Sequence, residues 1–180
     1  MNTRKLVYSS VFIALGIIIP QIFHFIGGPM LGGVFLPMHL PVIAAGMLCG
    51  PLVGIITGIF SPLLSGAITG MPPVPRLWFM VAELGVYGWV AGMLYFKYKK
   101  NIYFSLFAAM VSGRVVYGLL IAIVIPLFGI TLPGSFSVTA AVAKGLPGII
   151  IQILLLPAIV IVLERNIFKN ESTKSLETGT

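Results

Sequence analysis

The chain has 180 residues, of which 58% are hydrophobic and only 8% charged, and its formal net charge is +7. Soluble domains carry about 45–50% apolar and about 25% charged residues. The composition therefore excludes an ordinary soluble fold and predicts an all-α integral membrane protein. At about 20 apolar residues per crossing, the length holds about six transmembrane helices and essentially no soluble domain. The basic excess does not describe a nucleic-acid surface. Arg4 and Lys5 precede the first apolar run, Lys97, Lys99 and Lys100 interrupt the middle, and Arg165, Lys169 and Lys174 follow the last. Basic residues gathered at span ends mark the cytoplasmic side. The single cysteine, Cys49, cannot form an intramolecular disulfide.

In chain order, the first span is expected over residues 6–26. The opening MNTRK and the apolar run after it look like a signal peptide, but no A-x-A-like cleavage site follows, so an uncleaved first helix is expected. Ser10 and Ala14 place two small residues one turn apart, a pattern that suits helix–helix contact. Residues 27–36, GGPMLGGVFL, have the composition of an external loop. The second span is expected over residues 37–49 and the third over 52–69, with the turn at Gly50-Pro51 because glycine ends helices and proline starts them. Residues 70–75, GMPPVP, form an external turn. The fourth span covers 76–96, the fifth 102–128 and the sixth 138–163, with an external loop at 129–137. Residues 1–165 thus form one six-helix transmembrane domain, and 166–180 a polar cytoplasmic tail. Six crossings place both termini and all the basic clusters on one side, leaving Arg76 outside.

Residues 37–88 organise the rest. Small residues recur at every fourth position, at Gly46, Gly50, Gly54, Gly58, Pro62, Gly66 and Gly70. Thr57, Ser61, Ser65 and Thr69 follow at the same spacing. In lipid such glycines bring backbones together, and hydroxyls bond to neighbours. The stretch predicts three tightly packed helices that shape a pocket and aim polar groups into it.

Ionisable residues inside apolar spans are costly and mark function. Arg76, Met80, Glu83 and Tyr87 share one face of the fourth span, and Arg114 and Tyr117 one face of the fifth. Ala140, Lys144, Gly148 and Gln152 recur every fourth position in the sixth. Glu83, Lys144 and His39 fall in the external half of the membrane, and Arg114 near its middle. A purely structural network, with Glu83 paired to Arg114 or Lys144, is the plain alternative. It leaves one acid facing two bases, a surplus that a water-filled cavity or an anionic ligand would compensate. Tyr87 and Tyr117, unlike Trp78 and Trp89, share faces with charges and suit ligand stacking. The sequence has no G-x-x-x-x-G-K-[ST] loop for ATP, no H-E-x-x-H and no cysteine–histidine cluster for a metal, and no serine–lysine signature. No cofactor and no enzymatic activity are expected.

The segments PMHLPV, AAGMLCGP, SPLLSGAITGMPP, AELGVYG, GRVVYG and KGLPGIIIQ, in this order over residues 5–165, resemble the substrate-binding S components of energy-coupling factor (ECF) vitamin transporters. The likeness is nearest to the pantothenate and cobalamin branch, with queuosine-type compounds also open. It implies a subunit of the bacterial cell membrane that captures a vitamin from outside. It also implies assembly with a transmembrane coupling subunit and two cytoplasmic ATPases, which would hydrolyse the ATP. The family's small-residue docking motif on the first helix corresponds to Ser10 and Ala14. Two alternatives stand beside it: a self-sufficient proton-coupled transporter using Glu83, and an intramembrane enzyme or scaffold. The first calls for matching inverted halves, and residues 1–75 and 76–165 show no such match. The expected substrate-binding residues are His39, Glu83, Tyr87, Arg114, Tyr117, Lys144 and Gln152.

Overall fold

A backbone crossing hydrocarbon must satisfy its own polar groups, which makes each apolar run helical. The computed structural model describes residues 3–128 and 138–165. In chain order it contains α1 (Thr3–Phe35), α2 (His39–Cys49), α3 (Pro51–Thr69), α4 (Arg76–Ala91) with a π-helical turn Gly92–Lys97, α5 (Ile102–Phe128) and α6 (Val138–Leu163). Six helical stretches among these are long and apolar enough to cross a membrane. The loop expected at 129–137 and the tail at 166–180 lie outside the described residues.

The expected loop at 27–36 is corrected. The helix breaks only at Gly27 and Gly28, the latter with φ +68°, a conformation that glycine adopts without steric cost. Residues 29–35 are helical again and fold back on α1. The Phe35 ring lies 5.4 Å from that of Phe23, and Gly32 sits against His24. The second crossing accordingly runs over Met30–Cys49, which removes the shortness of a span beginning at Pro37. At its far end the sequence expectation holds. Gly50 has φ +98° and Pro51 opens α3.

The glycine ladder does what its spacing predicts. A Cβ at Gly46 or Gly54 would overlap the Gly88 carbonyl, one at Gly58 the Leu84 carbonyl, and one at Gly88 the Gly54 backbone. Helices α2, α3 and α4 therefore meet backbone to backbone, and α2 is buried along almost its whole length. The hydroxyl series meets neighbouring helices more than it lines a pocket. Ser61 packs on Gly16 of α1, and Thr69 Oγ1 accepts a hydrogen bond from Gln21 Nε2 at 3.1 Å. Three of the four hydroxyl residues thus stay within the helix packing, and only Ser65 reaches the cavity described below. Outer faces of α1, α5 and α6 expose Ile18, Leu119, Ile123 and Leu154, as befits lipid contact.

Two substitutions on α4 separate close approach from propensity. Gly88→Ala forces backbone against backbone and should destabilise the fold by about 1–3 kcal/mol. Gly85→Ala meets only the Ile59 side chain, at 3.5 Å, and should be neutral or stabilising by up to about 1 kcal/mol. Thermal unfolding of the two variants in detergent, compared with the parent, measures both.

Candidate ligand-binding site

The helices that touch at Gly88 spread apart toward the other end of α4. There a cavity of about 140 Å³ opens between α1, the 29–38 segment, α3, α4, α5 and α6. Its apolar wall includes Pro20, Pro37, Pro72 and Pro73, with Met38, Met71 and Met80. Its polar side chains are His24, His39, Ser65, Arg76, Glu83, Arg114, Tyr117 and Lys144.

The electrostatic centre is Arg114 on α5. Its Nη1 lies 2.9 Å from Glu83 Oε1 on α4, with side-chain exposures of 14% and 4%. The contact is one-ended. Oε1 has no aligned hydrogen-bond donor, and Arg114 Nε and Nη2 are buried without any partner. Arginine presents five donors in a fixed planar fork that matches a carboxylate or phosphate. Here one donor nitrogen is spent on Glu83, and Nη2 turns toward α6. A Cβ at Gly145 would stand 3.5 Å from that nitrogen, in ordinary van der Waals contact. Beside it, the Lys144 side chain lies along Gly33, with Cε and Nζ 3.4 and 3.5 Å from a Cβ position there. Among the described residues, no acidic side chain forms an ion pair with Lys144. The surplus of cation over anion inferred from the sequence is thus a local arrangement around one cavity.

Of the seven substrate-binding residues expected from sequence, His39, Glu83, Arg114, Tyr117 and Lys144 line this cavity. Tyr87 and Gln152 do not. Tyr87 is buried behind His39, ring centroids 5.1 Å apart and edge to face, with Gly113 of α5 against its other side. It holds the histidine rather than facing the cavity. Gln152 Nε2 donates to the Leu36 carbonyl at 3.5 Å, and Gly148 packs against the backbone of Val34 and Phe35. The small-and-polar stripe of α6 below Lys144 therefore grips the folded-back segment. Tyr117 stacks edge-on against Phe79 at 5.9 Å. Trp78 and Trp89 are exposed on the bundle's outside.

His24 was missed. It lines the cavity, and its Nδ1 is buried with no hydrogen-bond partner. An ionisable residue inside an apolar span is the signal that singled out His39, and it applied equally to His24. Among the described residues no cluster of three histidine, cysteine or acidic side chains could hold a metal ion.

Ser10 and Ala14 lie on an exposed face of α1, flanked by exposed Val7, Val11 and Ile18. The Ser10 hydroxyl donates back to the Leu6 carbonyl at 3.0 Å, so this face presents small, apolar surface.

The family model for the ECF transporter, substrate-specific component, matches residues 4–160. Comparison with curated proteins finds no match, and comparison with solved structures finds none. With six apolar helices around one charged cavity, and a family match over most of its length, the chain belongs to the substrate-specific components of ECF transporters and is a multi-pass membrane transport subunit.

Proposed function

We propose that this subunit captures a small carboxylate-bearing micronutrient, pantothenate first, from outside the bacterial cell membrane, and delivers it through a coupling subunit driven by two cytoplasmic ATPases. The observation that carries the proposal is the half-used Arg114 fork, with Nε and Nη2 unpartnered, in a cavity shared with Lys144. Buried donor nitrogens left without an acceptor are costly, and an anionic guest that met them would remove the cost. Size narrows the guest. Each water needs about 10–15 Å³ of such space, so about 140 Å³ suits a compact acid of pantothenate's dimensions and not a corrin such as cobalamin. The engagement of Glu83 by Arg114 favours a binding role for that pair over proton carriage by Glu83.

Orientation follows from charge. The α4 and α6 ends meet where the Tyr95 hydroxyl donates to Glu164 at 2.8 Å, beside Lys97, Lys99, Lys100 and Arg165. The positive-inside rule puts this end, and both termini, in the cytoplasm, so the cavity at the opposite end faces outward. The exposed Ser10–Ala14 face of α1 supplies a surface on which a coupling helix can pack closely.

Three outcomes test this. A tightly held acid should copurify with the detergent-solubilised protein and appear by native mass spectrometry. Lys144→Ala and Arg114→Ala should each weaken pantothenate binding by about tenfold to a hundredfold in calorimetry, the worth of one charge-assisted hydrogen bond. Equal affinity in parent and variants would remove the anion site. Replacing Ser10 and Ala14 together by leucine should abolish cellular uptake while leaving pantothenate affinity within about twofold. Uptake at the parent rate would dismiss that face as the docking surface.

A further inference from the structure

A second group of charges lies at the end of the bundle opposite the cavity. Lys97, Lys99 and Lys100 occupy the connection from α4 to α5, Arg165 follows α6, and all four are exposed. The hydrogen bond from the Tyr95 hydroxyl to Glu164 ties the ends of α4 and α6 together, which sets Arg165 beside the lysines. Among the described residues Glu164 is the only acid at this end, and none of the four cations forms an ion pair. Helix α5 begins at Ile102 with no acidic residue in its first turn, so the positive end of its dipole adds to theirs.

The backbone of this turn points to a use for one lysine in particular. Lys99 has φ +52°, the left-handed conformation that helix ends usually give to glycine and that costs any residue with a Cβ. Glycine would fill the position at less cost, so the side chain has work of its own; such outliers gather where a protein binds something. The Lys99 ammonium stands 5.1 Å from the centre of the Phe96 ring, and that ring packs against Gly50. Lys97 stands 5.7 Å from the Tyr98 ring centre. A ring face attracts an ammonium but offers no lone pair to its three N–H donors.

The surface next to the turn says what kind of anion fits. Phe104, Phe107, Val111 and Val115 are exposed on α5, and their spacing of three, four and four puts them in one stripe that starts at the turn. An acidic protein segment would match the lysines and have no use for that stripe. A phospholipid matches both, with a charged headgroup at the membrane surface and acyl chains beside the helix.

We propose that the 97–102 turn is a binding site for an anionic phospholipid, with Lys97, Lys99, Lys100 and Arg165 around the headgroup phosphate and the acyl chains along the α5 stripe. The site is separate from the cavity, and its test involves no cavity ligand.

The full-length protein in detergent is titrated with an equimolar mixture of phosphatidylglycerol and phosphatidylcholine, and the retained lipids are weighed by native mass spectrometry. The parent should retain phosphatidylglycerol at least about tenfold over phosphatidylcholine, and Lys99→Gly should lower that ratio by about fivefold, the worth of one lysine at an anionic surface. Its thermal midpoint should stay equal or rise, because glycine relieves the left-handed backbone. The combined variant Lys97→Gln, Lys99→Gln, Lys100→Gln should retain the two lipids within about twofold of each other. Equal retention by the parent overturns the proposal, as does an unchanged ratio in either variant. Displacement of phosphatidylglycerol by excess inorganic phosphate overturns it in favour of a free-anion site. A lowered midpoint in Lys99→Gly shows that the lysine serves the fold, and overturns it as well. Should the combined variant prove too unstable to measure, Lys100→Gln takes its place, and a parental ratio there overturns the proposal.

Discussion

The carbonyl of Gly88 resting against Gly46 and Gly54 is the contact on which the remaining architecture depends. Lipid tails are as apolar as leucine, so helices in a bilayer gain little by hiding leucine from them. Close van der Waals approach supplies the attraction instead. Three glycines provide it at one end of α2, α3 and α4. Glu83 is only five residues before Gly88, about 7.5 Å along the helix at about 1.5 Å per residue. Over that short distance the packing changes from backbone contact to an open cavity, with His39 at the start of α2 and Ser65 near the end of α3. One tight end and one open end are thus two consequences of the same spacing of small and large residues.

The charges of the cavity depend on that rigidity. A bidentate carboxylate would use both forks of a guanidinium and close the site as a structural bridge. Glu83, fixed on a helix that cannot shift without a backbone collision at Gly88, reaches Arg114 through a single 2.9 Å contact. The pair holds the guanidinium in position while leaving Nε and Nη2 unsatisfied. The folded-back segment contributes in the same way. Gln152 and Gly148 hold residues 34–36 against α6, which brings Gly33 onto the stem of Lys144. Residues that look like ligand contacts by spacing serve here to hold the walls.

Much of this was legible in the sequence, and the failures have physical causes. Membrane class, six crossings and the glycine ladder follow from composition and a four-residue repeat, both strong local signals. The Gly50–Pro51 turn follows from the opposite preferences of those residues at helix ends. The segment 27–36 was misread because four glycines and a proline in ten residues carry loop propensity. Packing of Phe35 on Phe23 and of Gly32 on His24 overrides that propensity, and no local pattern encodes a contact made across a chain reversal. Tyr87 and Gln152 were placed on the correct helix faces, yet a face is about a third of a helix. Whether such a residue meets the cavity or the wall behind it depends on depth, which periodicity does not carry. The spacing of the hydroxyl series suits bonding to a neighbouring helix, but that the neighbours are Gly16 and Gln21 of α1 becomes visible only once α1 is in place.

The walls also limit what kind of recognition the cavity can perform. In many ligand sites backbone N–H groups supply much of the hydrogen bonding. Four wall positions here, Pro20, Pro37, Pro72 and Pro73, are prolines, which have no N–H to offer. Ser65 has committed its hydroxyl proton to the Met71 carbonyl at 2.7 Å. The polar side chains of the cavity, His24, His39, Ser65, Arg76, Glu83, Arg114, Tyr117 and Lys144, are set in a wall otherwise rich in proline and methionine. Positive charge retains any small acid with little discrimination among them, because Coulomb attraction is insensitive to what lies beyond the acid group.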